Sequence, residues 1–498
     1  MRRSGPFGRR LILAIACLAL VTAACSSSTE PKAAEPHSST TEGSTEAGVS
    51  GEPDAEEARN GDTTDADRIQ RTGIAQRTGP LDRAPAAGWA GETLFGHGND
   101  WEPNVAADPS APYVYMITTR YSGHRACPTC TAPPYIALKI SKDDGKTFGR
   151  RKYLCPCPGR TGGQYDPQIE TDAKGDVYAA WINGGFRVVE SRSTDHGRTW
   201  SAPKVVTRGG PGWADHPWLA VSPHGKDVYI AFNHQDSYIA QSHDFGRTWE
   251  KPVKTNAQHR YHYAGGGYVF PNGDVVFSQA NYPLGEGYAG PVHIVSTWSH
   301  DEGKTWHTTQ VDSVGVQPPC VDNRDCPNNH LGGHANLAAD GQGNLLIAYD
   351  GATYDKGPQY VYVRRSTDGG KTWGPRKRLS PAGKEIATTP TVSGTRKGDF
   401  SVWYYDERNG SHEWNVWYRS STDGGRTWSP DVRISDARGG VGYKNAQGFG
   451  ADYGDYGDMA VMSDGQTFAV WGEGYSYYGP GGTWYNRTLG SAPATAGP

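Results

Sequence analysis

Six times along this chain the pattern S-x-D-x-G-x-T-[WF] returns, and that repetition constrains the fold more than any other feature. The copies begin at Ser141, Ser193, Ser242, Ser299, Ser366 and Ser421, at spacings of 52, 49, 57, 67 and 55 residues. A period near fifty residues means a supersecondary unit stacked several times over, as in propeller blades. A short alternating strand precedes each copy (YIALKI, RVVESR, YIAQ, HIVSTW, YVYVRR, NVWYRS), and a second short strand follows it. The octapeptide therefore reads as a hairpin turn between the third and fourth strands of a unit. Its letters suit that role. Glycine accepts a positive φ without steric cost. The aspartate takes backbone N–H groups as in an Asx-turn. The Ser and Thr hydroxyls tie the arms together, and the final Trp (Phe148 in the first copy) buries its ring between sheets. These aspartates are structural in this reading.

Upstream of each box lies a stronger strand: YVYMITTRY, DVYAAWI, DVYIAFN, DVVFSQA, NLLIAYD and DFSVWYYD, with a seventh, TFAVWGEG, that has no box after it. Seven second strands against six boxes predict an all-β propeller of seven blades, with six blades as the alternative. The last blade then lacks an outer strand of its own, and the segment Glu92 to Gly96 is the expected donor. Such closure removes open sheet edges. Composition agrees: 66 Gly, 34 Pro, 16 Trp and 28 Tyr against 4 Met, with no sustained apolar run at helical spacing. The formal charge of −4 gives no electrostatic footprint for nucleic acid.

The octapeptide is the Asp-box, or BNR repeat, and residues 86–490 resemble the sialidase-like propeller superfamily. The resemblance implies the fold directly. It also implies a site on the upper face, around the central channel and opposite the boxes. Sialidases as a family grip a substrate carboxylate with three arginines and use a tyrosine paired with a glutamate as nucleophile, with an aspartate as acid/base. The segment Asp455-Tyr456-Gly457-Asp458-Met459-Ala460-Val461 is similar to the one bearing the family tyrosine, so Tyr456 is the nucleophile candidate. Glu407 is its candidate partner, by loop location. Where the family opens its first blade with Arg-Ile-Pro, this chain has Trp101-Glu102-Pro103, without the arginine.

Two sets of residues map to the upper face. One precedes or opens the inner strands: Trp101-Glu102, Asp166-Pro167, Asp215-His216-Pro217, His334, Thr389-Pro390 and Asp455-Tyr456. Asp166, Asp215 and Glu102 are the acid/base candidates by position. Trp101, His216 and His334 are candidate substrate contacts. The second set is the loops between second and third strands, where Arg120 and Arg408 are the guanidiniums within reach of the mouth. Arg364 and Arg365 precede a box and point away from it.

The N-terminus reads as an export signal over residues 1–24, with Arg2, Arg3, Arg9 and Arg10 ahead of an apolar run from Leu11 to Leu20. Val21-Thr22-Ala23-Ala24-Cys25 resembles a bacterial lipobox, which makes Cys25 the expected lipidation site and the chain a cell-surface lipoprotein anchored in the membrane. Cleavage there removes four arginines and no acid, taking the formal charge from −4 to −8. Residues 25–85 are Ser, Thr, Glu, Ala, Gly and Asp with few large apolar side chains, a composition that cannot offset its ordering entropy; they read as a flexible linker. Residues 491–498 form a tail. Six cysteines remain, Cys127, Cys130, Cys155, Cys157, Cys320 and Cys326. An exported chain favours disulfides over a zinc site, and C-x-C is an unusual zinc spacing. Cys320 and Cys326 are expected to close a small loop, and the pairing among the other four is open. No cofactor is expected, with a structural calcium left open.

Three functions follow as expectations: an exo-acting glycoside hydrolase of sialidase type, a non-catalytic propeller binding glycan, cell wall or a protein partner, or another carbohydrate-active chemistry on the same scaffold. A glycan is the expected partner and a monomer the expected state.

Overall fold

A computed structural model describes residues 84–96, 100–121, 134–154, 163–257, 260–283, 291–315, 333–355, 357–383, 386–395, 398–409, 414–436, 457–474 and 481–490. They form seven four-stranded antiparallel sheets and contain no helix. Blades 1 to 6 each run inner to outer in chain order. Blade 1, for example, is Asp100–Ala107, Val114–Arg120, Tyr135–Ser141 and Lys152–Tyr153. Blade 7 takes Asp458–Val461, Thr467–Gly474 and Gly481–Arg487 from the end of the chain and its outer strand, Thr93–Leu94, from the beginning. Thr93 pairs with Tyr485 and Leu94 with Trp484. The inner strands contact one another in cyclic order and blade 7 returns to blade 1, so the ring is closed. Seven blades, not six, is the answer, and the closing strand falls inside the expected segment.

The sheet faces explain why the second strands read as continuous apolar runs. Successive side chains of a strand point to opposite faces, and here both faces meet a neighbouring blade. Tyr115 and Ile117 of blade 1 pack with Ile169, Val177 and Trp181 of blade 2. Val114 and Met116 pack the other way, with Phe468 and Val470 of blade 7 and with Phe95 beside the closing strand. Each of the seven blade junctions holds one such apolar cluster among the described residues.

The boxes close the lower ends of these junctions. In the fifth copy Asp368 accepts the Ser366 hydroxyl at 2.7 Å, the Thr372 amide at 3.0 Å and the Thr372 hydroxyl at 2.5 Å, while the Gly370 amide donates to Ser366 Oγ at 3.0 Å. The other five copies repeat this pattern. Two consecutive residues take positive φ in every box. The second is always the motif glycine; the first is Asp144, His196, Phe245 or Glu302 in four copies and Gly369 or Gly424 in the last two. Trp373 donates its indole N–H to Ser296 of the preceding blade at 3.0 Å, so the box fastens one blade to the next.

Candidate functional site

The upper channel mouth is built by an irregularity shared among the inner strands. Five of them carry a bulge, between Trp101 and Asn104, Tyr165 and Gln168, Asp215 and Trp218, Ala264 and Gly266, and Thr388 and Thr391. In four of these the bulged residue precedes a proline and is held left-handed: Glu102 (φ 56°), Asp166 (φ 49°), His216 (φ 47°) and Thr389 (φ 50°). Proline pushes its predecessor toward extended backbone, and a non-glycine residue at positive φ costs roughly 1–3 kcal/mol. Bulges re-aim side chains and gather next to functional sites. Four strained bulges at one level of the ring constitute the clearest departure from regular structure among the described residues.

The bulges are linked blade to blade. Glu102 accepts the Asp166 amide at 3.1 Å and the Tyr121 hydroxyl at 2.6 Å. Asp166 accepts the His216 amide at 3.3 Å. His216 stacks on Tyr263 at 3.7 Å, and Tyr263 meets His334 edge-on at 6.4 Å. Asp350, fully buried, then binds four groups of two blades. It takes the His334 amide at 2.8 Å, the His334 Nδ1 at 3.2 Å, the Thr388 hydroxyl at 2.5 Å and the Thr389 amide at 2.9 Å. Despite complete burial these partners, His334 first, hold Asp350 below the ordinary carboxylate value. His216, Tyr263, His334 and Thr389 face a narrow cavity of about 20 Å³ in the channel.

The predicted residues fall into three groups. Glu102, Asp166, His216 and His334 come together at the mouth, and Asp215 sits beside them with Tyr261 donating to it at 3.0 Å. Glu407 is buried at the upper end of blade 6 and bonded to the Ile386 amide at 3.3 Å. Arg120, Arg408 and Trp101 serve the framework instead. Arg120 is 4 % exposed and paired at 2.9 Å with the fully buried Asp100. Arg408 pairs with Asp406 at 2.8 Å and Asp431 at 2.7 Å and lies 3.8 Å over the Trp417 ring. Trp101 is fully enclosed and offers no ring face to a ligand. Tyr456, Cys25, Cys127, Cys130, Cys155, Cys157, Cys320 and Cys326 lie outside the described residues. Among the described residues no three His, Cys, Asp or Glu side chains converge as a metal site.

Sequence reasoning placed Asp350 and Tyr121 in the upper loops without giving either a role, and missed Tyr263, Arg260, Tyr165 and Phe186. Arg260, on the upper face at blade 4, is held by neutral acceptors: Asn281 Oδ1 at 2.7 Å and the carbonyls of Asn281 and Pro291 at 3.3 and 2.9 Å. Phe186, 54 % exposed, lies parallel to Tyr165 at 6.3 Å, and Tyr121 stands 6.2 Å from Tyr165. Deeper among the inner strands, burial lifts Glu170 to about 8, with the Asp458 charge adding to it, and lifts Asp458 itself to about 7.

No family model matches this chain, and no curated protein matches it. Many solved structures share its architecture at low identity. A Hadza microbial sialidase, Hz136, is 15 % identical over 73 % of this chain and 75 % of its own, with a TM-score of 0.44. A protein of unknown function from Dyadobacter fermentans DSM 18053 is 15 % identical over 80 % of this chain and 99 % of its own, with a TM-score of 0.46. A polysaccharide lyase of family PL25, an ulvan lyase bound to -[GlcA(1-4)Rha3S]-, is 15 % identical over 82 % and 96 %, with a TM-score of 0.45. Identities this low carry no activity across to this chain.

Proposed function

We propose that this chain is a carbohydrate-recognising propeller whose ligand sits on the upper mouth of the channel. One observation carries the reading. Two aromatic side chains, Phe186 and Tyr354, are strongly exposed among the described residues, and both lie in hairpins joining second to third strands on the upper face. Exposed aromatic faces beside fixed carboxylate and imidazole groups suit a sugar: apolar ring faces for the C–H side, directional acceptors for hydroxyls. The acceptors here are preorganised, because Glu102, Asp166 and Asp350 each also hold a backbone amide of a neighbouring strand. Titration calorimetry against a panel of neutral, sialylated and uronate-bearing oligosaccharides tests the reading. One class binds the wild type, and Phe186→Ala weakens it by at least fivefold. Equal affinity in the two proteins, or no binding across the panel, counts against a site at this rim.

Within that reading, exo-acting hydrolysis of sialidase type is the favoured chemistry, with Tyr456 as nucleophile, Glu407 as its partner and an aspartate of the mouth as acid/base. Arg260 supports it. A guanidinium held, among the described residues, by neutral acceptors keeps its charge available for a substrate carboxylate. Release of sialic acid from a fluorogenic sialoside, abolished in Tyr456→Phe, is the expected result. Undiminished release from that variant removes Tyr456 from the role and leaves binding, or another carbohydrate chemistry, as the function. Export and anchoring through Cys25 form part of the same proposal, and a mass shift on the N-terminal peptide, lost in Cys25→Ser, tests them.

A further inference from the structure

The lower face carries a site that the Asp-box pattern does not require. Its character shows when two equivalent junctions of the ring are compared. At the junction of blades 2 and 3, Arg192 lies opposite Tyr178 in the ladder and forms an ion pair with Asp176, the residue before its second strand. Phe245 of the next box covers the guanidinium at 4.9 Å. At the junction of blades 5 and 6, Arg365 lies opposite Leu346, the same register position. Here the residue before the second strand is Asn344 in place of aspartate, and the next box carries Gly424 in place of phenylalanine. The carboxylate partner and the aromatic cover are both gone, while the arginine stays.

What replaces them is a hollow of about 250 Å³, lined by Gln342, Asn344, Arg365, Asp423, Gly424 and Arg426 together with Gly398. The two guanidiniums converge on it. A side chain starting at Gly424 would begin 3.1 Å from Arg365 Nη2 and 3.5 Å from Arg426 Nη1. Arg365 Nε is buried with no hydrogen-bond partner among the described residues. Burial first, and the Arg426 charge next, push Arg365 below the usual guanidinium value, against the smaller opposing charges of Asp340 and Asp423. The nearby carboxylates are committed to their own turns. Asp340 accepts the Gln342 and Asn344 amides at 2.9 and 2.8 Å and Asn344 Nδ2 at 2.7 Å. Asp423 accepts Ser421 Oγ, the Arg426 and Thr427 amides and Thr427 Oγ1 at 2.6 to 2.9 Å. Two like charges facing one polar hollow repel each other, and an oxyanion between them removes that repulsion and supplies acceptors to the fork of donors each presents.

We propose that this hollow between blades 5 and 6, on the face opposite the mouth, binds a tetrahedral oxyanion, a phosphate or sulfate group, between Arg365 and Arg426. The ligand is either the free ion or the same group carried on a polymer. The test is titration calorimetry of the full chain at fixed ionic strength, with inorganic phosphate, inorganic sulfate and dextran sulfate as probes. The wild type binds one inorganic anion saturably. Arg426→Gln, a substitution of an exposed side chain, and Asn344→Asp, which restores the carboxylate found at the equivalent junction, each weaken binding at least tenfold. Melting temperatures without anion confirm that both variants fold. Tighter binding of dextran sulfate than of inorganic sulfate, lost in the same variants, assigns the site to an anionic polymer; equal affinity per sulfate assigns it to the free ion. No saturable binding of either inorganic anion, or unchanged affinity in both variants, overturns the proposal. Because the hollow is remote from Phe186, Phe186→Ala leaves this binding intact, so the result is independent of the carbohydrate reading.

Discussion

Glu190 offers a quantitative test of the junction packing. It lies in the third strand of blade 2, 1 % exposed, directly beneath the box glycine of blade 3: a side chain started at Gly246 would meet its Oε2 at 2.7 Å. Its Oε1 has no hydrogen-bond partner among the described residues. Burial raises its pKa from 4.5 to about 8, against smaller opposing effects of Arg192, Trp249 and Lys204. The folded state therefore holds a proton that the unfolded chain has released between those two values. Stability falls wherever the folded state binds more protons than the unfolded one, so this group withdraws stability as pH rises from about 4.5 to about 8. At about 1.4 kcal/mol for each unit of pKa difference, the full withdrawal is on the order of 5 kcal/mol. Glu190→Gln keeps the shape and removes the titration. Urea unfolding at half-unit steps from pH 4.5 to 9 is the assay. Wild type and variant have similar stability at the acid end, and the variant gains steadily to a few kcal/mol at pH 8.5. Parallel curves across the whole range would show that the carboxyl is solvated and that the junction is not packed as described.

Three further outcomes follow from the ring. Phe95, 1 % exposed beside the closing strand and packed against Val105, Met116 and Phe468, loses about 3–5 kcal/mol on truncation to alanine; an unchanged urea midpoint would mean that the N-terminal segment does not close blade 7. Glu302 holds φ 59° where the last two boxes have glycine, so Glu302→Gly leaves stability unchanged or raises it by up to about 1 kcal/mol, and thermal unfolding that shows a loss contradicts the assigned turn. Asp301 is held down to about 2, chiefly by the Thr305 hydroxyl and amide; its depressed folded value supplies stability above about pH 4 that is lost as pH falls toward 2, and Asp301→Asn flattens the acid limb of the unfolding curve.

The blades were legible because each is a local pattern. A box, a strand before it and an apolar run upstream lie within one stretch of chain, and turn chemistry decides their order. The closing strand was legible by counting, since seven second strands met six boxes. The mouth was only half legible. Glu102, Asp166, His216 and Thr389 stand before prolines at equivalent places, which marks a shared level of the ring; their left-handed backbone contradicts the usual preference before proline and comes from the bulges. The arginines could not be read. Arg120 is claimed by Asp100 and Arg408 by Asp431, partners 20 and 23 residues away whose approach depends on strand register and on the curl of the outer strand. The role of Asp350 was hidden for the same reason: it lies near the end of a second strand, and the inner-strand register brings His334 to it.

A crystal structure with a bound oligosaccharide tests the central claim most directly. The account predicts the sugar on the upper face, with a ring face against Phe186 or Tyr165 and hydroxyls on the Glu102, Asp166 and His334 side of the mouth. A sugar bound on the face that carries the Asp-boxes, or along the outer strands, would contradict it.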